Sequence, residues 1–302
     1  MRSLTALLLA LVACGDRLPA REFDGEAALG YIRTQLAFGP RIPGAPGHAR
    51  MAAWLDSLLR VRADTVIAQR WTHATARGDS LPLVNFIARF NPRATTRLLF
   101  LAHWDTRPRA DGRFSRDSTL PVPGANDGGS GVAILLGMAD QLKKAPPAVG
   151  VDLLFVDGED YGDFDHNQDV LLGSRYFAAH LPPGPLPRFA VLLDMVGDKD
   201  LRIEQEGRSL TGAPDVVEKV WSLAARLGHG AIFPPQEGIT LDDDHVPLQE
   251  AGIRAIDLID FTFGGDDNRW HHTPDDTIDK VSSASLQVVG DVVMAVVRTE
   301  RE

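Results

Sequence analysis

Apolar residues along the chain fall into two periods. Between Ala27 and Phe38, Leu29, Ile32 and Leu36 recur at helical spacing. After a Gly/Pro-rich loop, GPRIPGAPGH at 39–48, Met51, Trp54, Leu55 and Leu58 repeat that pattern. Further helices are predicted from Val132 to Leu142, over 214–227 with Val216, Val217, Val220 and Leu223 inward, and over 284–298. Shorter β-rich runs predict strands at 64–70, 83–90 and 97–102, from Phe189 to Leu193 and from Arg254 to Ile259. The central run is VDLLFVDGED, Val151 to Asp160, whose unbroken Leu153-Leu154-Phe155-Val156 suits a strand buried on both faces. Strands alternating with helices predict an α/β architecture.

The 302 residues, 44% hydrophobic, are enough to bury a large core. No repeat, low-complexity linker or composition shift divides them, so one catalytic-sized domain, residues 23–302, is expected. Net charge is -10, and no Lys/Arg run follows the first few residues, so no nucleic-acid partner is expected. Met1-Arg2 followed by the apolar Leu4 to Val12 reads as a secretion signal, too short to span a membrane. Small residues then lead to Cys14, the only cysteine of the chain. The pattern resembles a bacterial lipoprotein signal, with 1–13 cleaved, Cys14 lipidated and 14–22 as a tether to a membrane surface. An ordinary cleaved signal with an incidental cysteine is the alternative. A lone cysteine excludes a disulfide framework and a cysteine-rich zinc site.

The candidate chemistry lies where strands stop. His103, Glu159, Asp160 and Asp194 each fall just beyond a predicted strand, where open α/β sheets bind ligands. Asp105 stands two residues after His103, and a carboxylate there can orient a histidine ligand. Asp127, in PGANDGGSG (123–131), opens a predicted helix and reads either as its cap or as a metal ligand. A His/carboxylate set without cysteine suits zinc in a catalytic role. Asp163, Asp165, Asn167 and Asp169 alternate like a calcium loop, but Gln168 stands where such a loop requires glycine, so a solvated loop is expected.

The ordered motifs HWD, PGANDGGSG, DGED, LLDMVG and HHTPDD resemble the zinc aminopeptidase family that also contains the glutaminyl cyclases. The resemblance runs from GPRIPG to the last helix. It implies a single domain with a mixed, mostly parallel central sheet flanked by helices on both faces. It implies that Asp127, Asp160 and His272 hold zinc and that Glu159 is the general acid/base. Asp194 and Asp244 would form an acidic network with Glu159, and His103 and Asp194 match a second metal position. Trp270 would wall the substrate pocket. Asp160 stands where many relatives have Glu, and His271 separates Trp270 from His272, making His271 a rival ligand.

Leu172-Gly173-Ser174-Arg175 and Asp243-Asp244-His245-Val246-Pro247 resemble the cyclase branch. The activity implied is zinc-dependent conversion of N-terminal glutamine to pyroglutamate, acting on peptide N-termini. The alternative is a zinc aminopeptidase with one or two metals. A non-catalytic peptide-binding module is a third reading, which would predict lost ligands or a lost base.

Overall fold

The computed structural model describes Leu18 and residues 20–302. The expected signal segment, Cys14 and most of the expected tether lie outside the described residues. Among those described, no helix is long and apolar enough to cross a membrane.

Two helices come first, α1 (Gly25–Ala37) and α2 (Pro46–Arg62). Asp24 caps α1 by accepting from the Ala27 amide, and Pro46 starts α2, where a missing N–H costs nothing. Residues 51, 55 and 59 are the fully buried stripe of α2, with Trp54 and Leu58 packed at its edge. Then follow β1 (Thr65–Ala74), β2 (Ser80–Phe90), β3 (Arg97–His103), α3 (Gly129–Lys144), β4 (Gly150–Val156), α4 (Leu172–Ala179) and β5 (Phe189–Asp194). The chain closes with α5 (Gly207–Gly212), α6 (Pro214–Arg226), α7 (His245–Glu250), β6 (Ala255–Ile259), a 3-10 turn (Ile278–Lys280) and α8 (Ser283–Thr299).

The strands form one mixed sheet in the order β1-β2-β4-β3-β5-β6. The β1/β2 and β2/β4 pairs are antiparallel, and β4/β3, β3/β5 and β5/β6 are parallel. This is the expected single α/β domain. Side chains alternate between the two faces of each strand. Leu98, Phe100 and Ala102 face the large core under α1, α2, α3, α6 and α8, whereas Leu99 and Leu101 face the smaller core under α4 and α7. Phe23 seals the large core at its N-terminal edge. Its ring lies against Gly137 and Gly290, where a Cβ would come within 2.6 and 2.2 Å of it.

β1 and β2 run longer than their apolar cores. The polar residues Thr72 and His73 continue the ladder because β1 is an edge strand with one face in solvent. Helices α4, α5 and α7 are too short to show a periodic stripe, so their faces are set by packing against the sheet.

From β3 the chain passes to β4 on one side, and later to β5 on the other. That reversal opens a crevice at the carboxyl ends of β3, β4 and β5, which is where the candidate residues gather.

Candidate active site

His103 ends β3, Asp194 ends β5, and Glu159-Asp160 follow β4 after the positive-φ turn at Gly158. Asp127 precedes α3. It does not cap that helix: the cap position is Gly128, at φ 71°, with no side-chain hydrogen bond. Side-chain bulk at Gly128 would meet the His103 ring at 2.9 Å. Freed from capping, Asp127 turns both oxygens to histidines. Oδ1 lies 3.1 Å from His103 Nε2, and Oδ2 lies 3.6 Å from His272 Nε2. Asp194 Oδ1 is 3.2 Å from the same His103 Nε2.

Two groups of ligand atoms result. Asp127, His271 and His272 offer atoms within 4.8 Å of one another, and so do His103, Asp127 and Asp194. Asp127 belongs to both. Asp160 stands outside both groups; Arg107 Nη1 holds its Oδ1 at 2.6 Å, and that oxygen is also 3.4 Å from His272 Nε2. His103 Nδ1, Asp127 Oδ2 and Asp160 Oδ2 are buried with no hydrogen-bond partner. Buried carboxylate and imidazole atoms left this way are what a bound cation satisfies, and their chemistry fits zinc. Burial, and then the neighbouring His271, hold the His272 pKa well below its ordinary value, which keeps the ring neutral as a ligand must be.

Glu159 is 7% exposed and sits in a crowd of acids. Burial first raises its pKa well above the usual range. His103 opposes this, and Asp160, Asp243 and Asp244 add to the rise. Asp105 fixes the position of the pair: its two oxygens accept from the Glu159 amide at 3.1 Å and the Asp160 amide at 3.2 Å. Those bonds occupy the carboxylate expected to orient His103, whose Nδ1 lies 3.7 Å away.

The loop carrying Asp127 is clamped from both ends. Arg41, fully buried in the GPRIPG loop, donates to the carbonyls of Trp104, Pro123 and Gly124. Asp276 accepts from the Asn126 and Asp127 amides at 2.8 and 3.1 Å. Ser174 of α4 donates to Asp244 Oδ1 at 2.5 Å, joining two segments 70 residues apart beside Glu159. His272 (φ 53°) and Met195 (φ 48°) adopt left-handed backbone at the site, a local strain typical of functional positions.

The crevice opens into a cavity of about 820 Å³ lined by Asp127, Glu159, Asp194, His271 and His272 at the chemistry, and by Phe164, Leu241, Ile259 and Phe261 among its apolar residues. Trp270 is not part of that lining. Its ring packs edge-on against Phe263, with centroids 5.4 Å apart, and under the Lys280 ammonium. His271 occupies the place next to His272, stacked on it at 3.7 Å, and meets Phe261 at 5.1 Å. The apolar wall therefore comes from Phe261 and its neighbours.

A profile described as "Peptidase family M28" matches residues 85–297. The chain belongs to peptidase family M28. Aminopeptidase YwaD of Bacillus subtilis is 35% identical over 189 residues, which are 60% of this M28 chain and 38% of that protein's length. A Zn-dependent exopeptidase from Parabacteroides distasonis superposes with a TM-score of 0.88 at 32% identity, covering 94% of this chain and all of that one. Bacteroides thetaiotaomicron glutaminyl cyclase gives the same TM-score and coverage at 34% identity. Members of this enzyme family thus stand near the chain with either activity.

Of the residues singled out from the sequence, His103, Asp127, Glu159, Asp160, Asp194, His271 and His272 meet in the crevice of this M28 domain, with Asp244 behind them. The 163–169 loop does not assemble a cation site. Asp163 pairs with His166 at 2.8 Å, Asp169 with His73 at 2.7 Å, and Asn167 with Arg175, so its acids point apart. Sequence reasoning missed Arg41, Arg107, Asp257 and Asp276. Asp257 was the most visible of these, as a carboxylate alone within the buried strand AIDLI, where burial and then the nearby Asp243 and Asp194 raise its pKa.

Proposed function

We propose that this chain is a zinc-dependent glutaminyl-peptide cyclotransferase, converting N-terminal glutamine to pyroglutamate with release of ammonia. The reading rests on the Ser174–Asp244 contact. It joins the two cyclase-like segments and backs Glu159 with carboxylates that Asp127, Asp160 and the histidines leave outside the ligand set. A cyclase needs one group that takes a proton and returns it within a single turnover, and a buried glutamate with a raised pKa is suited to both steps. The solved glutaminyl cyclase at 34% identity supports the same reading.

Asp127, Asp160 and His272 would hold the ion, with His271 as the rival to His272. Zinc bound there supplies Lewis-acid polarisation of the side-chain amide carbonyl. Glu159 accepts a proton from the substrate α-amine as its nitrogen attacks that carbonyl and closes the five-membered ring. Glu159 then passes the proton to the departing amide nitrogen, which leaves as ammonia. Asp105 keeps Glu159 aimed through its backbone grip, and burial, with Asp160, Asp243 and Asp244 nearby, raises the Glu159 pKa against the pull of His103, which strengthens the carboxylate as a base.

The aminopeptidase reading has its own observation, the place of Asp127 in both ligand groups, so that Asp127 with His271 and His272, and Asp127 with His103 and Asp194, would each hold an ion able to activate water. One assay separates the readings. The zinc-loaded protein is incubated with a glutamine-initiated peptide, and the products are weighed. Loss of ammonia from an intact peptide supports the cyclase, and free glutamine overturns it in favour of the peptidase. We also propose that Cys14 carries the lipid of an exported, membrane-anchored form. Cys14→Ser should move the protein from the membrane fraction to the soluble one.

A further inference from the structure

The charged groups around the cavity are sorted by depth. The deep wall is acidic, with Asp127, Glu159, Asp194 and Asp243. Nearer the mouth stand five more acids, and four of them are already held. Asp111 pairs with Arg107, Asp163 with His166, Asp169 with His73, and Asp242 with Arg208 at 2.7 Å. Among the described residues, Asp165 is the one acid of these five with no ion pair.

Two arginines at the mouth are in the opposite condition. Arg77 and Arg109 line the cavity and are exposed, and among the described residues neither side chain has a hydrogen bond, ion pair or ring contact. Arg77 is held in place by its backbone. It sits in the β1–β2 turn, tightened by Gly78 at φ 87°, and the neighbouring Ala76 amide donates to the Asp169 carboxylate at 3.0 Å. Asp169 belongs to the loop that forms the cavity's other wall, so this bond fixes the turn over the opening. Arg109 follows Arg107, which is itself anchored to Asp160 and Asp111. The cavity is larger than one amino-acid side chain requires and falls in the range that encloses a multi-residue ligand.

We infer that Arg77 and Arg109 form a specificity site for a negative charge on the substrate downstream of its first residue. The ligand chemistry is a carboxylate: either an Asp or Glu side chain at the second or third position, or the free C-terminus of a short peptide. The inference rests on the cyclase reading for the placement of the substrate N-terminus. A guanidinium presents a rigid fork matched to a carboxylate, and two unpaired forks lining one mouth offer a local site for such a group.

The test compares kcat/KM for four glutamine-initiated tripeptides: Glu or Ala at the second position, each as free acid and as C-terminal amide. Exposed pairs are weak, so the expected preference for a carboxylate is about fivefold at low salt, shrinking as salt screens it. In the Arg77→Ala/Arg109→Ala double variant the ratio of acidic to neutral peptide should fall to below about twofold. The ratio is the readout because a general structural defect lowers both rates together. A preference confined to the amides' Glu side chain, or to the free acids, identifies which carboxylate is read. Equal rates for all four wild-type substrates, or a preference that survives in the double variant, overturn the inference. If no peptide is turned over, the cyclase reading fails on its own. Calorimetric affinities for the same four peptides then decide the specificity site by the same ratio.

Discussion

Replacing Glu159 by Gln exchanges one carboxylate oxygen for an amide nitrogen and leaves the shape of the side chain intact. Its backbone bond to Asp105 remains, and Glu159 lies in neither ligand group, so the metal should stay. What disappears is the proton carrier. A positioned general acid/base contributes about 10²–10⁴-fold in rate, or roughly 3–5 kcal/mol of transition-state stabilisation. The fall should appear in kcat with KM little changed, because the carboxylate acts in the reaction more than in binding. Stability should move the other way. The folded-state pKa of Glu159 is raised by burial and then by neighbouring acids, so its ionised form opposes folding. For the metal-free protein, that penalty is absent below the unfolded value of 4.5 and grows as pH rises towards the folded value. Metal-free Glu159→Gln should therefore match wild type in acid and exceed it at neutral pH. The assays are coupled ammonia release, zinc content by atomic absorption, and denaturant melts at two pH values. Activity within tenfold of wild type, or loss of zinc, would refute the assignment of Glu159 as the base.

Other changes test separate parts of the site. Asp127→Ala should abolish metal binding in a chelator competition, since Asp127 serves both ligand groups, and His272→Ala should weaken it more than His271→Ala because only His272 also reaches Asp160. Ser174→Ala removes a buried bond to a carboxylate, which should cost about 1.5–3 kcal/mol in urea melts and lower kcat by loosening Asp244. Trp270→Ala should leave KM near wild type, whereas Phe261→Ala should raise it, as only Phe261 lines the cavity; the reverse pattern in steady-state kinetics would place Trp270 back in the substrate pocket. Phe23→Ala should destabilise the domain by about 3–5 kcal/mol, because the ring is buried in a slot that two glycines shape around it.

The site was legible in the sequence where side chains follow directly from strand ends. An unbroken apolar run such as Leu153 to Val156 fixes both a buried strand and the point where it stops. The carboxyl ends of parallel neighbours share one rim, so His103, Glu159, Asp160 and Asp194 could be expected there together. Local sequence could not say how the free valences of those groups would be shared. Whether Asp127 caps α3 or faces His103 depends on Gly128 taking the cap position. That Asp105 grips the backbone of the acid pair, and that Arg107 occupies Asp160, are contacts across 53 to 55 residues that no spacing rule encodes.

By itself, then, the order of residues determined the sheet's inner strands, the family and the roster of acids and histidines, because burial and backbone period act within a few neighbouring positions. The tertiary structure decided which of those groups meet, which are neutralised and which face the cavity. It turned Trp270 aside against Phe263 and set Arg77 over the opening. Such outcomes depend on packing and charge between segments distant along the chain, and those energies exist only once the sheet has brought the segments together.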